Sequence, residues 1–327
     1  MSGIVDSYHR RINYMRISVT DRCNLSCIYC TSRAMPHLLH DDILRYEEIH
    51  RVVQAAAGLG VNKIRLTGGE PLARLNLSRL VELLSQVEGI DEVSLTTNGT
   101  LLDKYAAELK AAGLRRVNIS LDTFKADKFQ RITGSDRLKD VLSGIKAAKK
   151  GGLNPVKINM VVLKDINDNE LLDFARMTVS DGWHVRFIEH MPFVNTEAEN
   201  NGLVAIGEIM AIIQESLGEL QPSFPASGNG PAKYYQLPNA EGTIGFIGPM
   251  TECFCAECNR FRLTANGKLR PCLLDDDEVD IKEPLRSGAS IEELEQLIQE
   301  AAALKQAQHH LGEEPAPAKR QMRQIGG

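Results

Sequence analysis

The sequence lacks any apolar run that approaches the length of a membrane span, which takes about 20 consecutive apolar residues. Its first residues also lack the apolar core of a secretory signal peptide. Positive charge is not in excess either. The formal net charge is −5 at pH 7, which argues against general nucleic-acid binding but is compatible with a local basic pocket. We therefore expect a cytoplasmic protein that has neither a membrane nor a nucleic acid as a partner.

A dispersed disulfide framework is absent as well. The seven cysteines fall into two tight groups, three at positions 23–30 and four at positions 253–272, and such grouping is typical of metal ligation. The composition is otherwise that of an ordinary globular protein, with 43% hydrophobic and 25% charged residues. A chain of 327 residues is long enough for one large α/β-barrel domain, or for one domain plus an extension.

The first cysteine group, Cys23, Cys27 and Cys30, has the spacing C-x3-C-x2-C. Thiolates are soft ligands, so the group indicates an iron–sulfur cluster or zinc. Four cysteines normally complete a four-iron cluster, so three would leave one iron with an open position where a substrate or cofactor can bind. A structural zinc site would need a fourth ligand, such as His37 or His40. The narrow pattern favours the cluster.

The second group, Cys255, Cys258 and Cys272, has the spacing C-x2-C-x13-C and again offers three thiolates. Zinc is a stronger alternative here than in the first group, although a cluster is still favoured. Cys253 is an additional cysteine. Its C-x-C spacing from Cys255 is less comfortable for ligation of the same cluster, so we do not expect it to be a ligand.

Short β-type segments alternate with helical segments through the first 190 residues. The predicted strands cover residues 16–19, 63–66, 93–97, 117–122, 156–163 and 185–189. Six β–α units predict either an open doubly wound sheet or a partial barrel. In both folds the functional residues lie at the carboxyl ends of the strands, where this chain has polar residues such as Thr96, Ser120 and Asp122.

The regularity changes after residue 192. Residues 221–242 are rich in Pro, Gly, Ser and Asn, which predicts a boundary near residue 225 between a barrel (1–225) and a C-terminal region (226–327). Helical spacing resumes over residues 206–217. Ser290 and Glu293 form the pattern of a capping box, which predicts a helix that continues to about residue 304.

Two arginines follow the second cysteine group. If residues 259–263 form a strand, Arg260 and Arg262 point to the same face. Paired guanidinium groups suit phosphate oxygens, because each rigid fork can engage two of them. The alternative is an exposed, solvated charged strand.

The run Cys-x3-Cys-x-Tyr-Cys, preceded by Ser-Val-Thr-Asp-Arg at residues 18–22, resembles the radical S-adenosylmethionine (SAM) enzymes. The resemblance implies a partial (β/α)6 TIM-like barrel, with the cluster loop after the first strand. It also implies that the open iron binds the amino and carboxylate groups of SAM. One electron from the cluster then cleaves a carbon–sulfur bond and releases a 5'-deoxyadenosyl radical.

Further motifs narrow the resemblance. They are Cys-x2-Cys-Asn-Arg-x-Arg-Leu-Thr from Cys255, Lys-Leu-Arg-Pro-Cys-Leu around Cys272, the segment 230–235, Thr-Gly-Gly-Glu-Pro at 67–71 and the terminal Ile325-Gly326-Gly327. With the first motif they span residues 16–327 and resemble the GTP 3',8-cyclase family of molybdenum cofactor biosynthesis. Residues 31–35 and the additional Cys253 depart from the pattern of that family.

The family resemblance assigns residues to four roles. The ligands of the SAM cluster and of a second [4Fe-4S] cluster in the C-terminal extension are Cys23, Cys27 and Cys30, and Cys255, Cys258 and Cys272, respectively. The residues that line the SAM site are Tyr29, Gly69, Ser120 and Met191. The residues that contact GTP are Arg16, Arg65, Thr96, Lys157, Arg260 and Arg262. The residues with a catalytic role are Arg260, Arg262, Gly326 and Gly327, the last two in a tail that reaches into the site.

The reaction implied by the resemblance converts GTP to 3',8-cyclo-7,8-dihydro-GTP, through abstraction of the C3' hydrogen by the 5'-deoxyadenosyl radical. The expected partners besides GTP are a flavodoxin- or ferredoxin-like one-electron reductant, the next enzyme of molybdopterin synthesis and, in a possible homodimer, a second copy of the chain. Two alternatives stay open. One is a radical SAM enzyme that modifies a peptide, and the other is a non-catalytic iron–sulfur electron carrier or zinc-binding regulator.

Overall fold

Six parallel strands, hydrogen-bonded in chain order, form the centre of the fold. The structure, a computed structural model, describes residues 3–30, 36–191, 198, 202–224, 230–309 and 320–326. The six strands are β1 (Tyr14–Ser18), β2 (Lys63–Thr67), β3 (Glu92–Thr97), β4 (Arg116–Ser120), β5 (Val156–Val162) and β6 (His184–Glu189). All six strands predicted from the sequence are confirmed, and their ends differ by up to two residues.

Helices follow the strands in alternation. They are α1 (Tyr46–Gly58), α2 (Leu77–Ser85), α3 (Leu102–Ala111), α4 (Ala126–Thr133), α5 (Leu138–Lys150) and α6 (Leu171–Ser180). Short 3-10 turns cover His40–Asp42, Pro71–Ala73, Asp168–Glu170 and Cys255–Glu257. Helix α1 buries an apolar stripe at Ile49, Val52, Val53 and Ala56, as its spacing predicts. The sequence did not predict α4, because its eight residues bury only two large apolar side chains.

The C-terminal region extends both edges of this sheet. After α7 (Ile206–Leu217), the strands β7 (Gln221–Pro222), β8 (Lys233–Gln236) and β9 (Ile244–Ile247) follow, and β9 pairs in parallel with β6. At the other edge, β10 (Arg260–Leu263) pairs in parallel with β1, and β11 (Lys268–Arg270) and β12 (Val279–Asp280) continue the sheet. The result is one sheet of twelve strands. A partial (β/α)6 barrel with a C-terminal extension, as predicted, is confirmed.

The predicted domain boundary near residue 225 lies in a segment, 225–229, that is outside the described residues. Strands from both sides of it belong to one sheet, so the division into 1–225 and 226–327 stays a prediction. The chain continues through α8 (Lys282–Arg286), α9 (Ile291–Ala303) and α10 (Met322–Ile325). The capping box of α9 is confirmed, since the Glu293 amide donates to Ser290 Oγ (3.2 Å) and the Ser290 amide to Glu293 Oε2 (2.7 Å). In the described ranges, no helix is both long and apolar enough to cross a bilayer.

Close packing between α3 and α5 gives a test of the fold. A Cβ atom at Gly144 of α5 would overlap the Gly99 carbonyl oxygen and lie 3.1 Å from Leu102 Cβ. We expect Gly144→Ala to lower the free energy of unfolding by about 1–3 kcal/mol, because neither the backbone oxygen nor the helix can move away freely. Gly207→Ala in α7, where nothing lies within 4 Å, is the matched control and should be neutral or slightly stabilising. Equal denaturation midpoints for the two variants would contradict the packing.

Candidate active site

The loop after β1 carries the first cysteine group, and Cys23, Cys27 and Cys30 all line one cavity at the carboxyl ends of the strands. Two backbone hydrogen bonds join this loop to the end of α4. The Ser26 amide donates to the Thr133 carbonyl (2.9 Å), and the Ile28 amide donates to the Ile132 carbonyl (3.0 Å). The helix that the sequence did not predict therefore helps to hold the cysteine loop in place.

The Gly-Gly-Glu segment at residues 68–70 packs against the other side of the cysteine loop. The Gly69 amide donates to the Thr20 carbonyl (2.7 Å), and the Glu70 amide donates to the Arg22 carbonyl (2.7 Å). A Cβ atom at Gly69 would overlap the Arg22 carbonyl oxygen, so only glycine fits this close approach. The buried Glu70 carboxylate accepts hydrogen bonds from Thr97 Oγ1 and the Asn98 amide, each 2.7 Å long, which ties β2 to β3.

The donor set of the first cysteine group fits a thiolate-bound cluster. Burial raises the pKa of Cys23 to about 11 and that of Cys30 to about 12, so buried thiolates here need a bound cation to be stable. Hydrogen-bond donors already face the sulfur atoms. The Leu25 amide (3.4 Å) and Asn98 Nδ2 (3.8 Å) donate to Cys23 Sγ, and the Arg323 amide donates to Cys30. Such bonds to sulfur stabilise the charged ligand and tune a cluster.

The four residues predicted to line the SAM site, Tyr29, Gly69, Ser120 and Met191, all lie in the same cavity as the cysteines. Tyr29 donates through its hydroxyl to Asp122 Oδ2 (2.7 Å), and the Val161 amide donates to Asp122 Oδ1 (2.9 Å). Burial raises the pKa of Asp122 to about 6. The structure brings these residues together, and their role as SAM contacts stays a prediction.

Strand register brings the predicted phosphate-binding arginines into one row. Arg16 of β1 is paired with Arg262 of β10 on one side and with Arg65 of β2 on the other, so the three side chains are neighbours. Arg260 lies two residues from Arg262 on the same face of β10, as predicted for a strand. All four line the cavity, together with Lys157, so the alternative of an exposed, solvated strand is wrong for this arginine pair.

Neighbouring hydroxyl groups contact two of these cations inside the barrel. Arg65 donates to the Tyr14 hydroxyl and to Thr96 Oγ1 (3.4 Å), and Thr96, another predicted GTP contact, also lines the cavity. Lys157 is 1% exposed, and its Nζ lies 3.0 Å from the Tyr234 hydroxyl.

The buried cations repel one another. Burial, followed by the charge of Arg262, lowers the pKa of Arg16 well below its usual value. Burial and Arg260 lower the pKa of Arg262 to about 10, and burial lowers that of Lys157 to about 8. Each shift means that the folded chain disfavours the charged form, so a bound polyanion would relieve both the desolvation and the repulsion.

Three cavity cations were missed by the sequence reasoning: Arg116, Arg186 and Arg323. Arg116 pairs with Glu92 (2.6 Å), whereas Nε and Nη2 of Arg186 have no hydrogen-bond partner within the described part of the chain. The sequence contains a pattern from which Arg116 and Arg186 could have been predicted. Arg116 and Arg186 lie in central parallel strands, whose two faces are both covered, and a charged residue in such a strand must point into a cavity or find a buried partner.

The second cysteine group lies beside β10 and β11, next to the arginine row. Cys255 is in a 3-10 turn, Cys258 lies two residues before the start of β10, and Cys272 lies two residues after the end of β11. Lys305, which is 3% exposed, donates to the Pro271 carbonyl (2.6 Å), to the Arg260 carbonyl (3.3 Å) and to the Cys258 sulfur. A buried ammonium group beside the Cys258 sulfur favours the thiolate form of this ligand, so this donor set also fits a cluster.

The C-terminal tail reaches the arginine row. Arg262 Nη1 donates to the Gly326 carbonyl (3.0 Å), and Gly326 has a φ of +77° with no room for a Cβ beside Thr67. Upstream, Arg320 forms a bidentate ion pair with Glu278, with both N–O distances at 2.9 Å. The tail is therefore anchored on both sides of Met322 and Arg323, which line the cavity. Gly327 is outside the described residues, and a catalytic role of the two glycines stays a prediction.

A cysteine triplet after the first strand of a (β/α)6 barrel, above a cavity at the carboxyl ends of the strands, defines the radical SAM class. The family model described as "Radical SAM superfamily" matches residues 17–178, and the model described as "Molybdenum Cofactor Synthesis C" matches residues 183–311. Among solved structures, SuiB of Streptococcus suis bound to S-adenosylmethionine has a TM-score of 0.65 at 14% identity. The alignment covers 88% of this chain and 68% of SuiB, and at this identity it shows the fold alone.

Curated relatives define the family more narrowly. The chain is 51% identical over 324 residues to the GTP 3',8-cyclase of Pelotomaculum thermopropionicum, which covers 98% of this chain and 99% of that protein. It is 50% identical over 327 residues to the GTP 3',8-cyclase of Desulforamulus reducens. This alignment covers 99% of this chain and 100% of the relative. The chain therefore belongs to the GTP 3',8-cyclase family.

The charges around Cys258 predict an order of thiol reactivity. Burial alone would raise the pKa of Cys258, but Arg260 and Lys305 lower it to about 7, whereas burial raises the pKa of Cys23 to about 11. Because the thiolate is the nucleophile, Cys258 of the iron-free chain should react with iodoacetamide before Cys23 near neutral pH, and its rate should rise through a midpoint close to the pKa of about 7.

Mass spectrometry of the labelled peptides as a function of pH measures this order of thiol reactivity. Lys305→Met should move the Cys258 midpoint to higher pH, because it removes one of the two positive charges. Labelling of Cys23 as fast as Cys258, or a midpoint unmoved by Lys305→Met, would contradict the electrostatic account.

Proposed function

We propose that this protein is a radical SAM enzyme that converts GTP to 3',8-cyclo-7,8-dihydro-GTP in molybdenum cofactor biosynthesis. One observation carries the proposal: a single cavity connects the first cysteine group to a row of buried cations that lies beside the second. The curated relatives support it, because full-length proteins at about half identity are named GTP 3',8-cyclase. The match to the molybdenum cofactor synthesis model supports the pathway.

The two cysteine groups are the proposed holders of two [4Fe-4S] clusters, and Tyr29, Gly69, Ser120 and Met191 are the proposed SAM contacts. When bound, the first cluster and SAM would supply the radical chemistry that removes the C3' hydrogen of the GTP ribose. The chain's own contribution is placement. The cysteine loop, held by α4 and by the Gly-Gly-Glu segment, fixes the SAM site at one end of the cavity.

The cations hold the substrate at the other end. Arg16, Arg65, Lys157, Arg260 and Arg262 carry five charges, which would balance the roughly four negative charges of a triphosphate. Because the strands fix these groups in advance, binding costs little side-chain entropy, and the ribose is held in one orientation. Arg262 is also close enough to Cys258 and Cys272 for their charges to act on it. The residues that would hold the second cluster therefore lie next to a cation that would hold the nucleotide.

The cavity also bears on the alternatives. The function of an electron carrier or a zinc-binding regulator does not require a row of buried arginines in a cavity. The function of a peptide-modifying enzyme does not require a polyphosphate site. The likeness to SuiB concerns the fold alone and does not favour a peptide substrate. The other expected partners stay predictions: a flavodoxin- or ferredoxin-like reductant, the next enzyme of molybdopterin synthesis and a possible second copy of the chain.

Anaerobic reconstitution with iron and sulfide, followed by SAM, dithionite and GTP, tests the proposal. We expect about eight irons per chain, as two four-iron clusters require. We also expect 5'-deoxyadenosine whose formation depends on GTP, together with a cyclised nucleotide. SAM cleavage that is indifferent to GTP would overturn the substrate, and zinc in both sites without cleavage would overturn the enzyme.

A substitution in the arginine row tests substrate binding separately. We expect Arg65→Gln to weaken GTP binding by about 10- to 100-fold, since a hydrogen bond to a charged group contributes about 1.5–3 kcal/mol. Arg79→Gln, at an exposed ion pair with Glu47, is the matched control and should bind as the parent does. Dissociation constants from anaerobic calorimetry, at equal iron content, measure the effect. If Arg65→Gln bound GTP with the affinity of the parent chain, Arg65 would not be a GTP contact.

A further inference from the structure

Cys253, the cysteine that neither cluster uses, has metal-binding neighbours of its own. One ligand atom from each of Cys253, Cys255 and His309 lies within 4.8 Å of the other two. In a tetrahedral zinc site, with Zn–S near 2.3 Å and Zn–N near 2.0 Å, the ligand atoms are about 3.5–3.8 Å apart. The three groups therefore need to approach by only about 1 Å to bind one ion.

The surroundings of Cys253, Cys255 and His309 allow their ligand atoms to move about 1 Å closer together. Cys253 is exposed, so its side chain can turn without disturbing packing, and Cys255 is half-buried. The backbone amide of His309 donates to the Cys255 sulfur, which ties the two chain segments together. His309 Nε2 lies 3.1 Å from the Pro249 carbonyl oxygen. Because a carbonyl only accepts, this contact places a ring proton on Nε2 and orients the imidazole beside the two cysteines.

The donor set also selects the class of metal. Two thiolates and one imidazole suit a borderline-soft divalent ion, and zinc accepts three protein ligands with water in the fourth position. Calcium and magnesium, which prefer oxygen ligands, do not suit this donor set.

Cys255 belongs to two sets of neighbours. It is a predicted ligand of the second cluster with Cys258 and Cys272, and it is also the central residue of the Cys253, Cys255 and His309 group. Occupation of one set removes Cys255 from the other. We propose that, in the chain without its second cluster, Cys253, Cys255 and His309 bind one zinc ion, and that this ion competes with cluster assembly. The competition rests on the proposed function, whereas the binding of the ion does not.

A cobalt titration tests the site, since tetrahedral Co²⁺ replaces zinc and its thiolate charge-transfer absorption reports the sulfur ligands. Besides any ion at the first cysteine group, which is the same in every variant, the iron-free full-length chain should bind one Co²⁺ with two thiolates. Cys253→Ser should weaken binding by about tenfold or more, because it removes a direct ligand. Cys258→Ser is the matched control, since it removes a cluster cysteine outside the proposed zinc site, and it should bind Co²⁺ as the parent does. Loss of binding in Cys258→Ser, with binding retained in Cys253→Ser, would overturn the proposal and place the ion among the cluster cysteines.

A second measurement tests the competition. With one equivalent of zinc present during reconstitution, the parent chain should take up about four irons fewer than Cys253→Ser, as one four-iron cluster requires. Equal iron uptake in the two chains would overturn the competition. Failure of the proposed function would show differently, as SAM cleavage that does not depend on GTP, and it would leave the cobalt titration unchanged.

Discussion

Repulsion among buried cations is the constraint on which the rest of the site depends. Burial and neighbouring positive charge act together on Arg16 and Arg262, which lie side by side in adjacent strands. A fold keeps such a row only if something else stabilises it. Tyr14 and Tyr234 give partial stabilisation as hydroxyl partners, and a polyphosphate would supply the remaining negative charge. The cavity therefore favours a highly charged anion over a neutral ligand.

The positions of the two cysteine groups relative to the cations follow from the pairing of β1 with β10. Because β1 carries Arg16 and also leads into the first cysteine group, one strand joins the arginine row to these three cysteines. Because β10 carries Arg260 and Arg262 and begins two residues after Cys258, the second cysteine group is held next to the cations. Parallel pairing therefore puts the first cysteine group, which follows β1, and Cys258, which precedes β10, at opposite ends of this strand pair.

Local sequence patterns were sufficient to predict much of this arrangement. The six strands were predicted from short apolar segments, and the common face of Arg260 and Arg262 was predicted from the period of a strand. Contacts distant in sequence could not be predicted in this way. Helix α4 was missed because it buries little, although it holds the cysteine loop. The pair of Glu278 with Arg320 joins residues 42 positions apart, and no local pattern encodes such contacts.

The affinity of the reconstituted enzyme for GTP, GDP, GMP and guanosine tests the central claim most directly. If the buried cations select their ligand by its negative charge, affinity should fall with each phosphate removed, by about tenfold or more for each charge-assisted hydrogen bond that the shorter ligand cannot form. The decline should also become shallower in Arg65→Gln. Equal affinities for GTP and guanosine would contradict the account, because they would show that the arginine row does not bind the phosphates.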